Sequence, residues 1–424
     1  MHETTPKAAA QPKHLLLVGA GHAHLHVLQR LAQQRSEHSI RITVIAPDAW
    51  QTYSGMVPGY IAGRYPLDAC LIALQPLLRA AGAAWIQGLC TGIDAAGSHV
   101  QVRHLGSANA AQPRHLGYDV ISLDTGAVFD PQRLTHDMPG ALEHTLPVRP
   151  IDVFCERWQA MLAPQHPPAT PARAPSHPAQ TAKPSTGRAT TVAFIGAGAA
   201  SIELLMAAHQ RFTMPGAPAT TEAAIQLVLV TGGRDLAAGY SSGVQRRVLR
   251  QLRIRQVHIV HQRCVGAQAG ALQLEDGSLL ACDAAVLAVG TDAPSWLKGS
   301  GLALADSGHL LVNAFQQSTS HANVFAAGDV ATRADAPHPK SGVYAVRAGP
   351  ALARNLLAAV NGQPLTAYQP PARTLNLLSC GTGHAILSWG PLHTEGAWAW
   401  QLKDTIDRAF IARYAAPDKG GDHL

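Results

Sequence analysis

A short pattern that occurs twice constrains the fold of this chain more than any other feature. An apolar run is followed by a glycine turn, an amphipathic segment and a second apolar run, beginning at His14 in one copy and at Thr191 in the other. Short apolar runs bounded by glycines are typical of buried strands, and the spacing of Val27, Leu28 and Leu31 is typical of a helix. Strand, turn, helix and strand make a βαβ unit. The sequence therefore predicts two such units, in a chain of 424 residues that is long enough for two or three domains.

The glycine turns predict binding sites for dinucleotides. In such turns, main-chain N–H groups and a helix N-terminus bind a diphosphate, and glycines let the backbone turn tightly beside it. The glycines concerned are Gly19, Gly21, Gly196 and Gly198. The third position of the usual pattern holds His24 in the first copy and Ser201 in the second. Because His24 is not small, we expect either a displaced first helix or a histidine that points outward.

The residues after the second strand of each unit bear on which nucleotide is bound. An acid at this place usually binds a ribose hydroxyl. Near the first site only Asp48 is available, and near the second there is no acid but one arginine, Arg234. This argues against a strict preference for NADH. It allows NADPH, with the 2′-phosphate on Arg234, and it also allows a site that has lost nicotinamide binding.

Three later strand ends have the same character. Buried strands are predicted before Thr125 and Gly126, before Gly290, and before Gly328 and Asp329. Asp329 is placed to accept a hydrogen bond from a ribityl hydroxyl, and we expect a helix to open at this Gly-Asp pair with its N-terminus facing the ligand.

The order of these segments resembles the flavoproteins with two dinucleotide-binding domains. The closest resemblance is to pyridine nucleotide-disulfide oxidoreductase-like proteins that occur alone or fused to selenophosphate synthetase and are close to type II NADH dehydrogenases. The matching segments are Gly21–His24, Tyr53–Gly59, Ser122–Gly126, Val148–Ile151, Phe325–Asp329, Pro339–Arg347 and Trp400–Asp404.

The resemblance implies an α/β fold with two Rossmann-like domains of three ββα layers. The FAD domain is discontinuous and a small α+β region follows at the C-terminus. The implied division is a disordered tail (1–13), a first segment of the FAD-binding domain (14–152), a Pro-rich flexible insertion (163–190), an NAD(P)H-binding domain (191–292), a second segment of the FAD-binding domain (293–370) and the C-terminal region (371–424).

The resemblance also implies the cofactors, FAD with NAD(P)H, and the residues around them. The residues expected at FAD are Gly19, Gly21, His22, Ala23, Asp48, Thr125, Gly126, Gly328 and Asp329. Those expected at the nicotinamide nucleotide are Gly196, Gly198, Glu203, Arg234 and Gly290. Those expected at the isoalloxazine are Ser54, Pro58 and Lys340.

Two of these residues are candidates for catalysis. A cation at Lys340 would stabilise the negative charge of reduced flavin; the alternative is an ordinary surface salt bridge. Glu203 either faces the nicotinamide or interacts with the dipole of its own helix.

The reaction implied is FAD-dependent oxidation of NAD(P)H with a quinone-like or other diffusible acceptor. No two cysteines have the CxxC or CxxxxC spacing, which excludes the dithiol relay of disulfide reductases. The first alternative is a sulfide-, thiol- or selenium-linked oxidoreductase, which the segment from Pro339 and a pairing of Cys155 with Cys380 would favour. The second is a non-catalytic, flavin-binding redox sensor.

Composition and charge limit the partners and the location. The isoelectric point is about 9.1, but the basic residues are scattered, which argues against nucleic acid. Long apolar runs and a secretory signal are missing, so the sequence predicts a cytoplasmic enzyme. No metal site is expected, since His22 and His26 share a helix face without further ligands. The amphipathic C-terminal segment leaves two possibilities: peripheral contact with the inner face of a membrane, or packing on the FAD domain or on a second subunit of a homodimer.

Overall fold

The computed structural model describes residues 11–35, 40–105, 113–162, 190–214 and 225–415. Most of the tail predicted for residues 1–13, and all but the last residue of the insertion predicted for residues 163–190, lie outside the described residues.

The described chain folds into strands and helices that follow the predicted alternation. The strands are β1 (Lys13–Val18), β2 (Ile40–Ala46), β3 (Trp50–Thr52), β4 (Leu71–Ala73), β5 (Ala84–Asp94), β6 (His99–His104), β7 (Arg114–Gly117), β8 (Val120–Leu123), β9 (Leu146–Pro147), β10 (Thr190–Ile195), β11 (Ile225–Val230), β12 (His258–Val260), β13 (Cys264–Gln268), β14 (Ala271–Leu274), β15 (Leu279–Ala281), β16 (Ala284–Leu287), β17 (Leu310–Val312), β18 (Val324–Ala326), β19 (Ala331–Arg333), β20 (Leu375–Ser379), β21 (Ala385–Trp389) and β22 (Leu392–Gly396). The α-helices are α1 (His22–Gln33), α2 (Val57–Ile61), α3 (Leu74–Ala81), α4 (Pro131–Asp137), α5 (Ala141–His144), α6 (Ile151–Leu162), α7 (Ala199–Thr213), α8 (Ser242–Ile254), α9 (Gly342–Val360) and α10 (Ala397–Tyr414).

The first sheet has the strand order β18-β8-β1-β2-β5-β6-β7, and its strands from β18 to β5 are parallel. Helices α1 and α9 cover one face with buried side chains that include Leu28 and Leu352. The other face is buried by a layer that contains Leu310 and Val312 of β17. Strand β18 comes from the chain after the second sheet, so the domain around this sheet is discontinuous, as the resemblance implies.

The second sheet has the order β12-β11-β10-β16-β9 and is parallel throughout. Helices α7 and α8 pack on one face, and the antiparallel strands β13 to β15 cover the other. Each sheet is therefore covered by helices on one face and by a layer of further strands on the other, which gives a three-layer ββα arrangement. This confirms the predicted fold class. Strand β9 pairs with β16, and Phe154 of α6 packs in this second core, although both precede the predicted insertion.

The two glycine turns have the same main-chain geometry. Gly19 donates to Ile45 O at 2.8 Å and Gly196 donates to Val230 O at 2.8 Å. Both glycines have positive φ, +86° and +130°, and a Cβ would stand 2.4 Å from Asp124 O in the first turn and 2.3 Å from Ala288 O in the second. Only glycine fits where the backbone is left-handed and the next strand lies so close. The repeated sequence pattern thus encodes a repeated structure.

Of the two alternatives for His24, the outward-pointing histidine was wrong, because its ring is fully buried. Its Nδ1 lies 2.7 Å from Gly19 O and its Nε2 lies 2.8 Å from Ser122 Oγ. Burial lowers the pKa of His24 to about 4, so the ring is neutral at physiological pH. The turn accommodates a large residue here because both ring nitrogens find partners.

The helix predicted to open at Gly328 and Asp329 was also wrong. The structure has one 3₁₀ turn, Gly328–Val330, which leads directly into β19. The next long helix is α9, which begins at Gly342 with Ser341 as its N-cap.

The C-terminal region consists of the antiparallel strands β20 to β22 and helix α10, as predicted. Glu395 of β22 joins this region to α8. Its carboxylate lies 3.1 Å from Arg247 Nε and 3.1 Å from His384 Nε2, and it also pairs with Arg250. None of the helices in the described ranges has the length and apolar character needed to cross a bilayer.

His24→Ala is predicted to destabilise the protein by about 2–4 kcal/mol, because it creates a cavity and leaves two buried hydrogen-bonding groups without a partner. Urea denaturation of the two proteins measures this difference. His136→Ala, at an exposed position on α4, is the control and should change stability by less than about 0.5 kcal/mol. Equal stability of wild type and His24→Ala would show that the buried ring is dispensable.

Candidate functional site

A continuous cleft of about 2080 Å³ lies between the two sheets and the C-terminal region. Its walls contain residues from the second glycine turn, from α2 and α9, and from β20 and α10. The predicted site residues that line it are His22, Ser54, Pro58, Gly196, Gly198, Glu203, Arg234, Gly290 and Lys340. The structure thus brings together side chains that are far apart in sequence.

The other residues predicted at FAD are not among those that line this cleft. They are Gly19, Gly21, Ala23, Asp48, Thr125, Gly126, Gly328 and Asp329. In the first sheet Val18, Ile45, Leu123 and Ala326 stand at one level, so most of these residues meet at the carboxyl edge. Asp48 is the exception: it is exposed two residues beyond β2, and its pKa is raised by partial burial and by Asp152 and Glu156.

The second glycine turn opens directly into the cleft. Residues 196–200, including the first residues of α7, form part of its wall. A Cβ added at Gly198 or at Gly290 would meet no atom within 4 Å, so there is room for a ligand against the backbone. This arrangement fits the diphosphate of a nicotinamide nucleotide.

Two arginines stand at the end of this site. Arg234 follows β11, as the sequence indicated, and Arg263 lies on the loop before β13, with its Cα 3.9 Å from the position of a Cβ on Gly232. Both line the cleft and are exposed. The sequence analysis missed Arg263 because no local pattern connects it with the glycine turn.

Glu203 is half-buried in the wall of the cleft and is held by the C-terminal region. Its Oε1 accepts a hydrogen bond from Ser379 N at 2.7 Å. Desolvation raises the pKa of Glu203, and Lys403 opposes that effect. The carboxylate therefore joins α7 to β20 at the place where the two domains face each other.

Lys340 lies immediately before α9 and makes no salt bridge within the described chain. Its Nζ donates to Thr332 Oγ1 at 2.9 Å and to Ala331 O. Burial lowers the pKa of Lys340 to about 8, although the carboxylate of Asp329 raises it in part. Asp329 itself lies 3.6 Å from Arg149. The cleft therefore contains a partly desolvated ammonium group close to the start of a long helix.

Helix α10 packs on the segment Tyr53–Pro58 through charges that the sequence analysis missed. Lys403 Nζ donates to Gly55 O at 2.6 Å and lies 2.6 Å from Asp407 Oδ2. Asp407 also accepts a hydrogen bond from Tyr53 at 3.0 Å. Because Lys403 and Asp407 are largely buried, this network positions the segment firmly; Trp398 and Ile406 remain exposed on α10.

All six cysteines are buried, and none of them belongs to a disulfide bond in the described part of the chain. Cys155 and Cys380 lie in the core beside α7, and desolvation raises the pKa of each to about 12. Neither of the two lines the cleft; Cys264 does, but its thiol contacts Gly266 O and Met138. Thiols of this kind are poor nucleophiles.

The histidines of α1 take part in packing. The ring of His22 contacts Tyr53 edge-on at 5.5 Å between centroids. Across the described ranges, His, Cys, Asp and Glu side chains do not gather in groups of three or more that could hold a metal ion.

The first turn also fits a dinucleotide at its outer side. A Cβ at Gly126, whose φ is +72°, would meet nothing within 4 Å. Gly21 and Gly328 leave room for the Asp124 carboxyl group, which would lie 2.5 Å and 2.7 Å from a Cβ at these positions. The residues present at this edge of the first sheet therefore fit FAD.

Comparison with solved structures shows the same fold in several oxidoreductases. The sulfide:quinone oxidoreductase of the hyperthermophilic bacterium Aquifex aeolicus has a TM-score of 0.73 at 14% identity, covering 95% of this chain and 91% of that one. The NDH2 of Plasmodium falciparum, solved with NADH, has a TM-score of 0.72 at 11% identity, covering 96% and 99%. The water-forming NADH oxidase of Lactobacillus brevis, also bound to NADH, has a TM-score of 0.68 at 16% identity, covering 89% and 75%.

Comparison with protein families identifies the family to which the chain belongs. Residues 13–349 match the family described as pyridine nucleotide-disulphide oxidoreductase, which is more than half of the chain. The alternative of a non-catalytic sensor is therefore not retained. The chain belongs to the pyridine nucleotide-disulphide oxidoreductase family and is an FAD-dependent oxidoreductase that uses a nicotinamide nucleotide.

Proposed function

We propose that this enzyme oxidises NAD(P)H and passes the electrons to a quinone-like acceptor without a redox-active cysteine pair. The residues at the carboxyl edge of the first sheet would hold FAD, and the flavin would supply the redox chemistry that links the nicotinamide to the acceptor. The observation that carries the proposal is the composition of the cleft. It joins the open second glycine turn to Lys340 and to the Tyr53–Pro58 segment, while Cys155 and Cys380 lie outside its wall.

Residues on the two sides of the cleft have different proposed roles. The N–H groups at the start of α7 are placed to bind the nucleotide diphosphate, and Glu203 fixes α7 against β20. On the other side, the network of Lys403, Asp407 and Tyr53 positions the segment beside the expected isoalloxazine. A rigid arrangement of this kind favours transfer between two bound partners because their orientation is set beforehand.

Anaerobic stopped-flow absorbance on the flavin-loaded protein tests the reaction. We expect NADH or NADPH to bleach the flavin rapidly and a soluble quinone to restore its colour. A variant with Cys155→Ser and Cys380→Ser should behave like the wild type, because neither thiol lines the cleft.

The same experiment tests the alternative donors. Bleaching by sulfide or by a selenol, but not by NAD(P)H, would contradict the proposal and support the sulfur- or selenium-linked reaction. Bleaching by sulfide or a selenol in the wild type that is lost in the cysteine variant would show that a thiol relay carries the electrons to the flavin.

The second nucleotide site favours NADPH in this proposal. Thr231, rather than an acid, directly follows β11, and Arg234 and Arg263 both reach the cleft. A guanidinium group pairs well with a 2′-phosphate.

We predict that Arg234→Ala and Arg263→Ala each raise the KM for NADPH about tenfold, since each removes a charge-assisted hydrogen bond of roughly 1.5 kcal/mol. The KM for NADH should stay within about twofold because NADH has no 2′-phosphate. Steady-state kinetics with both nucleotides measures the effect. Arg246→Ala, on the exposed side of α8, is the matched control. Equal losses for NADH and NADPH would contradict 2′-phosphate recognition.

Lys340 is proposed to stabilise the negative charge of reduced flavin. We predict that Lys340→Met lowers the reduction potential of the bound flavin at pH 7 while FAD is retained. The difference from the wild type should shrink above pH 8, because the pKa of Lys340 is lowered to about 8 and the wild type then loses the same charge.

Spectroelectrochemical titration at pH 7 and at pH 9.5 measures this potential. Lys298→Met, at an exposed position, is the control and should leave the potential unchanged at both values of pH. An unchanged potential in Lys340→Met would remove the role proposed for this ammonium group.

A further inference from the structure

The carboxyl group of Asp124 lies at the N-terminus of α1, the helix that follows the first glycine turn. Its Oδ2 accepts a hydrogen bond from His24 N at 2.9 Å, and the carboxylate also accepts from Ala23 N. Its own main-chain oxygen accepts from Gly21 N at 3.1 Å. The side chain is almost fully buried. A carboxyl group of the chain thus uses the N–H groups that a helix of this kind offers to a diphosphate.

The second unit shows that this carboxyl group is an addition to a shared backbone. Ala288 is the counterpart of Asp124: Ala288 N donates to Ile195 O at 2.9 Å, as Asp124 N donates to Val18 O at 2.9 Å. With a methyl group at this place, the start of α7 remains open to the cleft. The carboxyl group at 124 therefore alters the anion site of one unit only.

The surroundings of Asp124 do not neutralise its charge. Among the residues that the structure describes, no Lys, Arg or His side chain stands within ion-pair distance of this carboxylate. On α1, the rings of His22 and His24 add no positive charge near it, because burial lowers the pKa of each to about 4. Asp329, from the turn after β18, adds a second negative charge, and its ion-pair partner is Arg149. Desolvation, with a contribution from Asp329, raises the pKa of Asp124 to about 7.

We propose that Asp124 contacts the diphosphate of FAD as a neutral carboxylic acid, so that binding of the cofactor takes up one proton from solvent. The proposal rests on the assignment of FAD to the first glycine turn. An ionised carboxylate and a diphosphate at one helix N-terminus repel each other, whereas a neutral acid donates its O–H to a phosphate oxygen. Its other oxygen keeps the hydrogen bond from His24 N. No covalent bond changes, and the proton is the only species exchanged.

The direction of the pH dependence follows from linkage. Above pH 7 free Asp124 is ionised, and each FAD bound must then bring a proton with it. The dissociation constant of FAD should be flat below about pH 7 and should rise by up to tenfold per pH unit above it.

Titration of the apoprotein with FAD between pH 6 and pH 9, followed by flavin fluorescence, measures this dependence. Calorimetry at pH 8.5 in two buffers of different ionisation enthalpy counts the protons, and we expect about one per FAD. Asp124→Asn should give a flat profile and no proton uptake. Asp119→Asn is the matched control: Asp119 accepts from His14 N at 2.6 Å before the other end of β8, and the variant should keep the wild-type slope.

The outcomes separate this proposal from the assignment of FAD. A flat profile for the wild type, or a slope that persists in Asp124→Asn, would overturn the role of Asp124 and leave FAD binding intact. Absence of FAD binding at every pH would overturn the assignment and the proposal together. If Asp124→Asn does not fold, Asp124→Ala, which restores the residue of the second unit, serves instead, and proton uptake by the wild type requires no variant.

Discussion

The close approach of each glycine turn to the strand beside it is the contact on which both proposed nucleotide sites depend. A Cβ at Gly19 or Gly196 would stand within 2.4 Å of a main-chain oxygen on the neighbouring strand. This approach places the start of α1 and of α7 at the carboxyl edge of its sheet, where ligands of α/β proteins bind. A larger residue at either glycine would separate helix from strand and remove the site.

The C-terminal region packs against both domains and closes one side of the cleft between their sheets. Glu395 fixes β22 to α8, Glu203 fixes α7 to β20, and Lys403 with Asp407 fixes α10 to the Tyr53–Pro58 segment. Each contact uses a buried or half-buried charge with a specific partner. Buried charges without partners are costly, so alternative placements of this region are disfavoured. The cleft is therefore defined by polar contacts as much as by apolar packing.

Short sequence patterns predicted those parts of the structure that are formed by residues close together in the chain. The strands, turns and first helices of both units could be recognised because their residues are neighbours in sequence. His24 was misjudged because one of its ring partners, Ser122, lies on another strand of the sheet. Arg263 and the pair Lys403 and Asp407 were missed because only tertiary folding brings them to the cleft. The turn at Gly328 was taken for a helix because a strand that ends in Gly-Asp has the same local signature whether one turn or several follow.

The two βαβ units have equivalent main-chain contacts at their glycine turns but differ in the side chains found there. Both end a central strand beside a glycine turn, yet the first has a carboxyl group and a buried imidazole at that place, and the second has Ala288 and Ser201. Small residues leave α7 open to the cleft and suit a nucleotide that enters and leaves in each turnover. Large, hydrogen-bonded side chains close the first turn inwards, which suits a cofactor that remains bound. Under the proposed assignment, one duplicated backbone supports a resident group and an exchanging one through the side chains at two positions of the turn.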